Sequence, residues 1–181
     1  KAVPDSNVLV SCVANFLIQP DAVDTASPRG TRHREQFEAW GKVAPNLFWR
    51  PNKARKMTSM PHISARQAIK DFRFVADHRC IGIYVDMVWE HWATRGPLYY
   101  VMARMAWDPW QDGEAMLDDY YRRGFGKAAG DIRAYWDLME TKWAQSQTKE
   151  FDYPELFDAA FFEQAYACLA RADRAVEGEP D

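Results

Sequence analysis

No part of this chain is apolar for long enough to span a bilayer. The longest such stretch, "NVLVSCVANFLI" from Asn7 to Ile18, is too short for a membrane helix and has the branched composition of a strand. Cysteine is scarce: Cys12, Cys80 and Cys168 stand far apart, without a C-x-x-C pair or a His at ligand spacing. That excludes a disulfide framework and a zinc motif, and buried free thiols are the expected state. Basic residues form no long run, and 23 of them face 26 acidic ones for a net charge of −3, so nucleic acid is not an expected partner. A phosphate-binding Gly loop, a Ser-His-Asp order and a metal-ligand cluster are also lacking, so neither a cofactor nor a metal is expected. No signal peptide is legible. The chain opens on Lys1 and enters a strand almost at once, which predicts a segment of a longer polypeptide.

What is present in excess is aromatic. Eight Trp, eight Tyr and ten Phe make up 14% of 181 residues, a length sufficient for one domain with a sizeable core. Tryptophan has two readings: a large core anchor with one polar handle, or a flat platform for a sugar ring.

Hydrophobic patterning divides the chain in two. Val8 to Ile18 reads as a buried strand, "QPDAVDTASPRG" as a loop, and Thr31 to Val43 as a helix with Phe37 and Trp40 on one face. "PNLFWRPN" is a second strand between Pro45 and Pro51. Ser64 to Ala76 returns to helical period with Ala68, Ile69, Phe72 and Val75 as its buried stripe, and "CIGIYVD" from Cys80 is the third strand. Apolar strands separated by helices predict a parallel sheet covered by helices with right-handed crossovers. Three strands cannot close a barrel, which normally needs about eight. The expectation is therefore an α/β fold: the C-terminal part of a TIM-like (β/α) barrel with three parallel strands over residues 1–107, then an α-helical extension over 108–176 and a disordered tail at 177–181. After the strands, Pro97 opens one helix, Asp112 caps the next with Gly124 or Gly126 ending it, and Ile132, Tyr135, Trp136, Met139 and Trp143 keep helical spacing. The last helix is expected from Pro154, with Leu156, Phe157, Ala160, Phe161, Gln164 and Cys168 on or near one stripe.

In parallel α/β folds, reactive side chains sit beyond the carboxyl ends of the strands. Trp49, Arg50 and Asn52 follow the second strand; Asp86, Trp89, Glu90, His91 and Trp92 follow the third. Asp86 and Glu90 are four apart, and glycoside cleavage generally uses two carboxyl groups, about 5–5.5 Å apart for retention or about 6.5–9.5 Å for inversion. Neighbouring indoles would desolvate one carboxyl and raise its pKa, as a general acid requires. Asp86 and Glu90 are thus the candidate catalytic pair. Trp49, Arg50, Asn52, Trp89, His91 and Trp92 are the candidate substrate contacts, with the Arg50 fork suited to the carboxylate of an acidic sugar. Each also has a plainer reading: Asp86 as a helix cap, His91 as a donor to a backbone carbonyl, Arg50 as a loop pin, the tryptophans as packing.

The stretch from Gly82 to Glu140, above all "WDPWQDGEAMLDDYYRRGFGKAA" from Trp107 to Ala129, resembles the C-terminal region of a bacterial domain family of unknown function. The upstream "FEAWGKVAPNLFWRPN" is similar to that family's penultimate barrel segment, and the resemblance runs from about Val8 to Glu140. Members occur beside modules akin to the N-terminal domains of alpha-glucuronidases and beta-hexosaminidases. The resemblance implies a glycoside hydrolase-related barrel with a helical extension, in periplasmic or extracellular proteins that degrade polysaccharide. It supplies no catalytic residue, and the front of the barrel is not in this chain. The expected function is action on, or binding of, poly- or oligosaccharide, including uronic-acid-containing chains. The expected partners are carbohydrate and the N-terminal portion of the same polypeptide. A non-catalytic carbohydrate-binding module and an inter-domain docking module stand as alternatives. The docking alternative expects the face of Tyr120, Tyr121 and Phe125 to be exposed.

Overall fold

The computed structural model describes residues 3–14, 28–51, 64–85, 92–145 and 157–179. Among them are three short parallel strands in one sheet and six α-helices, in the order β1 (Leu9–Cys12), α1 (Pro28–Val43), β2 (Asn46–Trp49), α2 (Ala65–Asp77), β3 (Cys80–Ile83), α3 (Trp92–Trp107), α4 (Gly113–Phe125), a 3-10 turn (Gly126–Ala128), α5 (Ala129–Gln145) and α6 (Ala159–Ala175). The fold is mixed α/β and mostly helical.

Strand order follows chain order, β1-β2-β3, with Leu9 opposite Asn46 and Leu47 opposite Cys80. Ile81 is an extra residue in β3, because the register moves from Leu47–Cys80 to Phe48–Gly82. Period-two alternation sorts the strands onto two faces. Cys12, Ala14, Leu47 and Trp49 point into the core, and each is at most 3% exposed. Phe72 of α2 meets the Trp49 indole edge-on at 5.2 Å, and Phe37 of α1 packs on Phe74 of α2, so both crossover helices lie on this face. The opposite face carries Leu9, Val13 and Tyr84 at 53%, 40% and 52% exposure. The sequence predicts a sheet covered by helices; among the described residues, helices cover one side only.

The helices obey their local chemistry. The α2 stripe is the predicted one: Ala68, Ile69, Phe72 and Val75 are all buried. Against it packs α3, which starts earlier than predicted, at Trp92, and places Pro97 inside the helix. Asp112 caps α4 by accepting from the Glu114 and Ala115 N–H groups, and of the two predicted stops it is Gly126, at φ +49°, that ends it. The close approach of α4 to α2 requires Gly113, where a Cβ would lie 2.8 Å from Ile69 Cγ1. Tyr121 of α4 is buried and Tyr120 and Phe125 are half-buried; the Tyr120 ring packs against Tyr100 of α3 at 5.2 Å and against Tyr121 and Phe125. The face expected to be free for docking is therefore internal. Asp158 caps α6 by accepting from Phe161 N–H at 2.8 Å, so this helix begins at Ala159 and buries Phe161, Ala165, Cys168 and Ala172. Ala160 and Gln164, expected on that stripe, are exposed. The tail forms a turn through residue 179, where Glu179 pairs with Lys127.

Candidate functional site

Two backbone hydrogen bonds extend the sheet ladder past the ends of β2 and β3. Arg50 N–H donates to the Cys12 carbonyl at 3.0 Å, and Tyr84 N–H donates to the Trp49 carbonyl at 2.9 Å. Alternation then turns Arg50 and Tyr84 away from the helices, onto the uncovered face at the carboxyl ends of the strands. Their side chains meet there: the guanidinium carbon of Arg50 stands 5.8 Å from the centre of the Tyr84 ring, within cation–π range. Trp92 opens α3 and is 59% exposed, resting edge-on against the buried Tyr99 ring at 4.9 Å. One cation paired with an exposed aromatic ring therefore stands beyond β2 and β3, and a second exposed ring, Trp92, begins the helix that follows β3 in the chain.

The predicted site residues divide into three groups. Arg50 and Trp92 lie on loops and helix starts beyond strand ends, as placed from sequence. Trp49 does not line a mouth: it is fully buried, its indole N–H donates to the Ala14 carbonyl at 2.7 Å, and its ring is packed against Phe72. Its strand position decides this, since Trp49 shares the inward parity of Leu47. Asn52, Asp86, Trp89, Glu90 and His91 lie outside the described residues. Tyr84 was missed by sequence reasoning, although its parity in "CIGIYVD" opposes that of Ile83 and was legible.

A second group of charged side chains, away from this site, pairs within itself at the seam of α2, α4 and α5. Arg66, at the start of α2, reaches Glu114 Oε1 at 2.6 Å, Asp137 Oδ1 at 2.8 Å and Glu140 Oε2 at 2.7 Å. Arg133 of α5 adds Glu114 and Asp118. Burial pushes the Glu140 carboxyl above its ordinary range, whereas the hydrogen bond from Arg66 holds Glu114 below it. This network ties the α/β layer to the helical extension. Cys12 is buried, and its thiol is pushed up to about 11 by desolvation, which makes it a packing group and not a nucleophile. Among the described residues no three metal-ligating side chains converge, and no helix is long and apolar enough to cross a membrane.

Comparison with known proteins adds one finding. Residues 1–137 match the sequence model of the family described as Domain of unknown function (DUF4838). The chain belongs to this family. The matched span covers the sheet, α1 to α4 and most of α5, close to the extent that the sequence resemblance marked. No curated protein and no solved structure matches the chain. DUF4838 membership thus takes in the sheet and its helices together and assigns no chemistry to them.

Proposed function

We propose that this DUF4838 chain is the C-terminal part of a glycoside hydrolase-related (β/α) barrel whose mouth acts on or binds poly- or oligosaccharide, including chains that carry uronic acids. The observation that carries the reading is the Arg50–Tyr84 pair just beyond the carboxyl ends of β2 and β3, and the exposed Trp92 at the start of the helix that follows β3 adds to it. Tyr84 and Trp92 offer faces for pyranose rings; Arg50 offers a planar two-donor fork for a sugar carboxylate. Asp86 and Glu90, two and six residues after Tyr84 in sequence, are the proposed acid/base pair, with Asn52, Trp89 and His91 as further substrate contacts.

The one-sided sheet supports the barrel part of the proposal. Strands in chain order with both crossover helices on one face are singly wound, and the free face is where a barrel keeps its interior. Leu9, Val13 and Tyr84 on that face, together with the open edges of β1 and β3, suit further parallel strands of the same polypeptide. This gives the docking alternative a physical form: the surface that needs a partner is the sheet, not the α4 face. Periplasmic or extracellular residence follows from the proposed polymeric substrate.

The test is a tryptophan-fluorescence titration with neutral and uronic-acid oligosaccharides. The expected result is a response to the uronic-acid series that Arg50→Ala and Trp92→Ala each weaken by about tenfold. Product analysis of Glu90→Gln and Asp86→Asn in the polypeptide carrying the completed barrel then separates hydrolysis from binding. No response in the parent protein to any glycan would refute the proposal.

A further inference from the structure

Trp107, the last residue of α3, and Trp110, on the short connection to α4, belong to the turn "WDPWQ", at 90% and 61% exposure. The connection is not loose. Asp108 Oδ1 accepts from Trp110 N–H at 3.0 Å, and the Gln111 amide donates to the carbonyls of Arg104 at 2.9 Å and Asp108 at 3.0 Å. The Arg104 guanidinium returns two bonds to Gln111 Oε1, at 3.1 and 2.7 Å. Arg73 of α2 donates to the Gln111 carbonyl at 3.0 Å, and the Asp112 cap starts α4 immediately afterwards. Every polar group just named is used to fix the backbone, yet the two largest side chains of the turn are left in water.

We infer that this turn is a second carbohydrate-contact site, built from the Trp107 and Trp110 rings and separate from the mouth. A fixed backbone at the turn spares the ligand the cost of ordering it, which favours binding through a few aromatic contacts. The surroundings favour a glycan over a protein partner. The exposed neighbours Arg104, Asp112 and Glu114 are charged, and no other large apolar side chain on α4 or the second half of α3 is exposed. A protein interface needs a contiguous, well-packed patch, whereas a sugar chain needs isolated flat faces with polar groups beside them. The site is also remote from the first. Trp107 ends the helix that Trp92 begins, about 22 Å away along its axis. A long polysaccharide held at this distance from the mouth raises its local concentration there without taking part in chemistry.

The choice of a sugar ligand rests on the proposed function, but the two are separable by experiment. The chain is titrated with soluble xylan, a β-glucan and polygalacturonate by affinity electrophoresis and fluorescence. The test compares wild type, the Trp107→Ala/Trp110→Ala double variant and the Arg50→Ala/Trp92→Ala double variant. Circular dichroism checks that both double variants keep the fold. The inference predicts that at least one polymer loses about tenfold or more in affinity with the turn variant while still being retained by the mouth variant. Binding that only the mouth variant weakens overturns the second site and leaves the first. Binding of none of the polymers overturns it as well. Self-association of wild type that the turn variant abolishes would identify the turn as a protein contact and overturn the glycan assignment.

Discussion

Replacing Arg66 with Met removes one cation from three carboxylates and tests how the helical extension is held to the α/β layer. The pairs to Glu114 and Asp137 have side chains 53% and 39% exposed, and pairs of this kind contribute roughly 0.2–1 kcal/mol each. Glu140 differs, being only 12% exposed. Stranding a fully buried charge costs roughly 3–5 kcal/mol, but Glu140 keeps some solvent. It also keeps the Arg66 backbone N–H at 2.8 Å, which survives the substitution. The expected loss is about 2 kcal/mol at neutral pH, or roughly 4–8 °C in Tm for a chain of this size.

The pH dependence has a definite sign. Glu140 already sits above the ordinary carboxylate range through burial, and losing Arg66 moves it further up. Its ionisation then opposes folding more strongly, a deficit present above the folded pKa and removed when acid protonates it. Glu114 sits below the ordinary range because of Arg66, a contribution present at neutral pH and lost as pH falls through the folded value. Both effects make the deficit of Arg66→Met largest near pH 7 and smaller near about pH 4. Urea unfolding of wild type and variant at the two pH values reads this directly. Glu140→Gln, which strands no charge, serves as the control and is expected to lose less. A deficit that is the same at both pH values, or larger in acid, refutes the reasoning.

Other outcomes follow from single positions. Arg79 holds φ +66° in the turn between α2 and β3, so Arg79→Gly is expected to stabilise the chain by up to about 1 kcal/mol and Arg79→Val to destabilise it, by urea midpoint. A Cβ at Gly96 would overlap the Tyr120 hydroxyl, while the next ring atom is 3.4 Å away. Gly96→Ala is therefore expected to cost about 1–3 kcal/mol, and adding Tyr120→Phe should recover most of it in a double-mutant cycle. Asp112→Ala removes a cap with two acceptor contacts and should lower stability by about 1 kcal/mol in thermal melts. Cys12, 3% exposed and with its thiol raised to about 11, is expected to resist iodoacetamide in the native state near pH 8 and to react once urea unfolds the chain.

Period and capping made much of the architecture legible from sequence. The α2 stripe, the Asp112 cap and the three parallel strands all rest on short-range rules that tertiary packing does not override. What depends on three-dimensional neighbours was less legible. Phe157, Phe161 and Cys168 are buried as the pattern predicts, whereas Ala160 and Gln164 give way to Ala165 and Ala172 once Asp158 caps α6 and its neighbours set the buried face. The α4 tyrosines look like a free aromatic face until the fold buries Tyr121 and brings Tyr100 onto Tyr120. Trp49 shows the cost of grouping residues by their distance from a strand end without following parity, since its neighbour Arg50 leaves the sheet on the other side. The same parity would have singled out Tyr84. Trp107 and Trp110 were read as part of a family signature, and only their exposure marks them out.

The most direct test of the proposed mouth is a two-dimensional amide and indole NMR titration of the chain with a galacturonate oligosaccharide. The account predicts shift changes concentrated at Arg50, Tyr84 and the Trp92 indole N–H, with a neutral oligosaccharide of equal length moving Trp92 but not Arg50. Changes confined to other surfaces, or equal Arg50 responses to charged and neutral sugars, would contradict it.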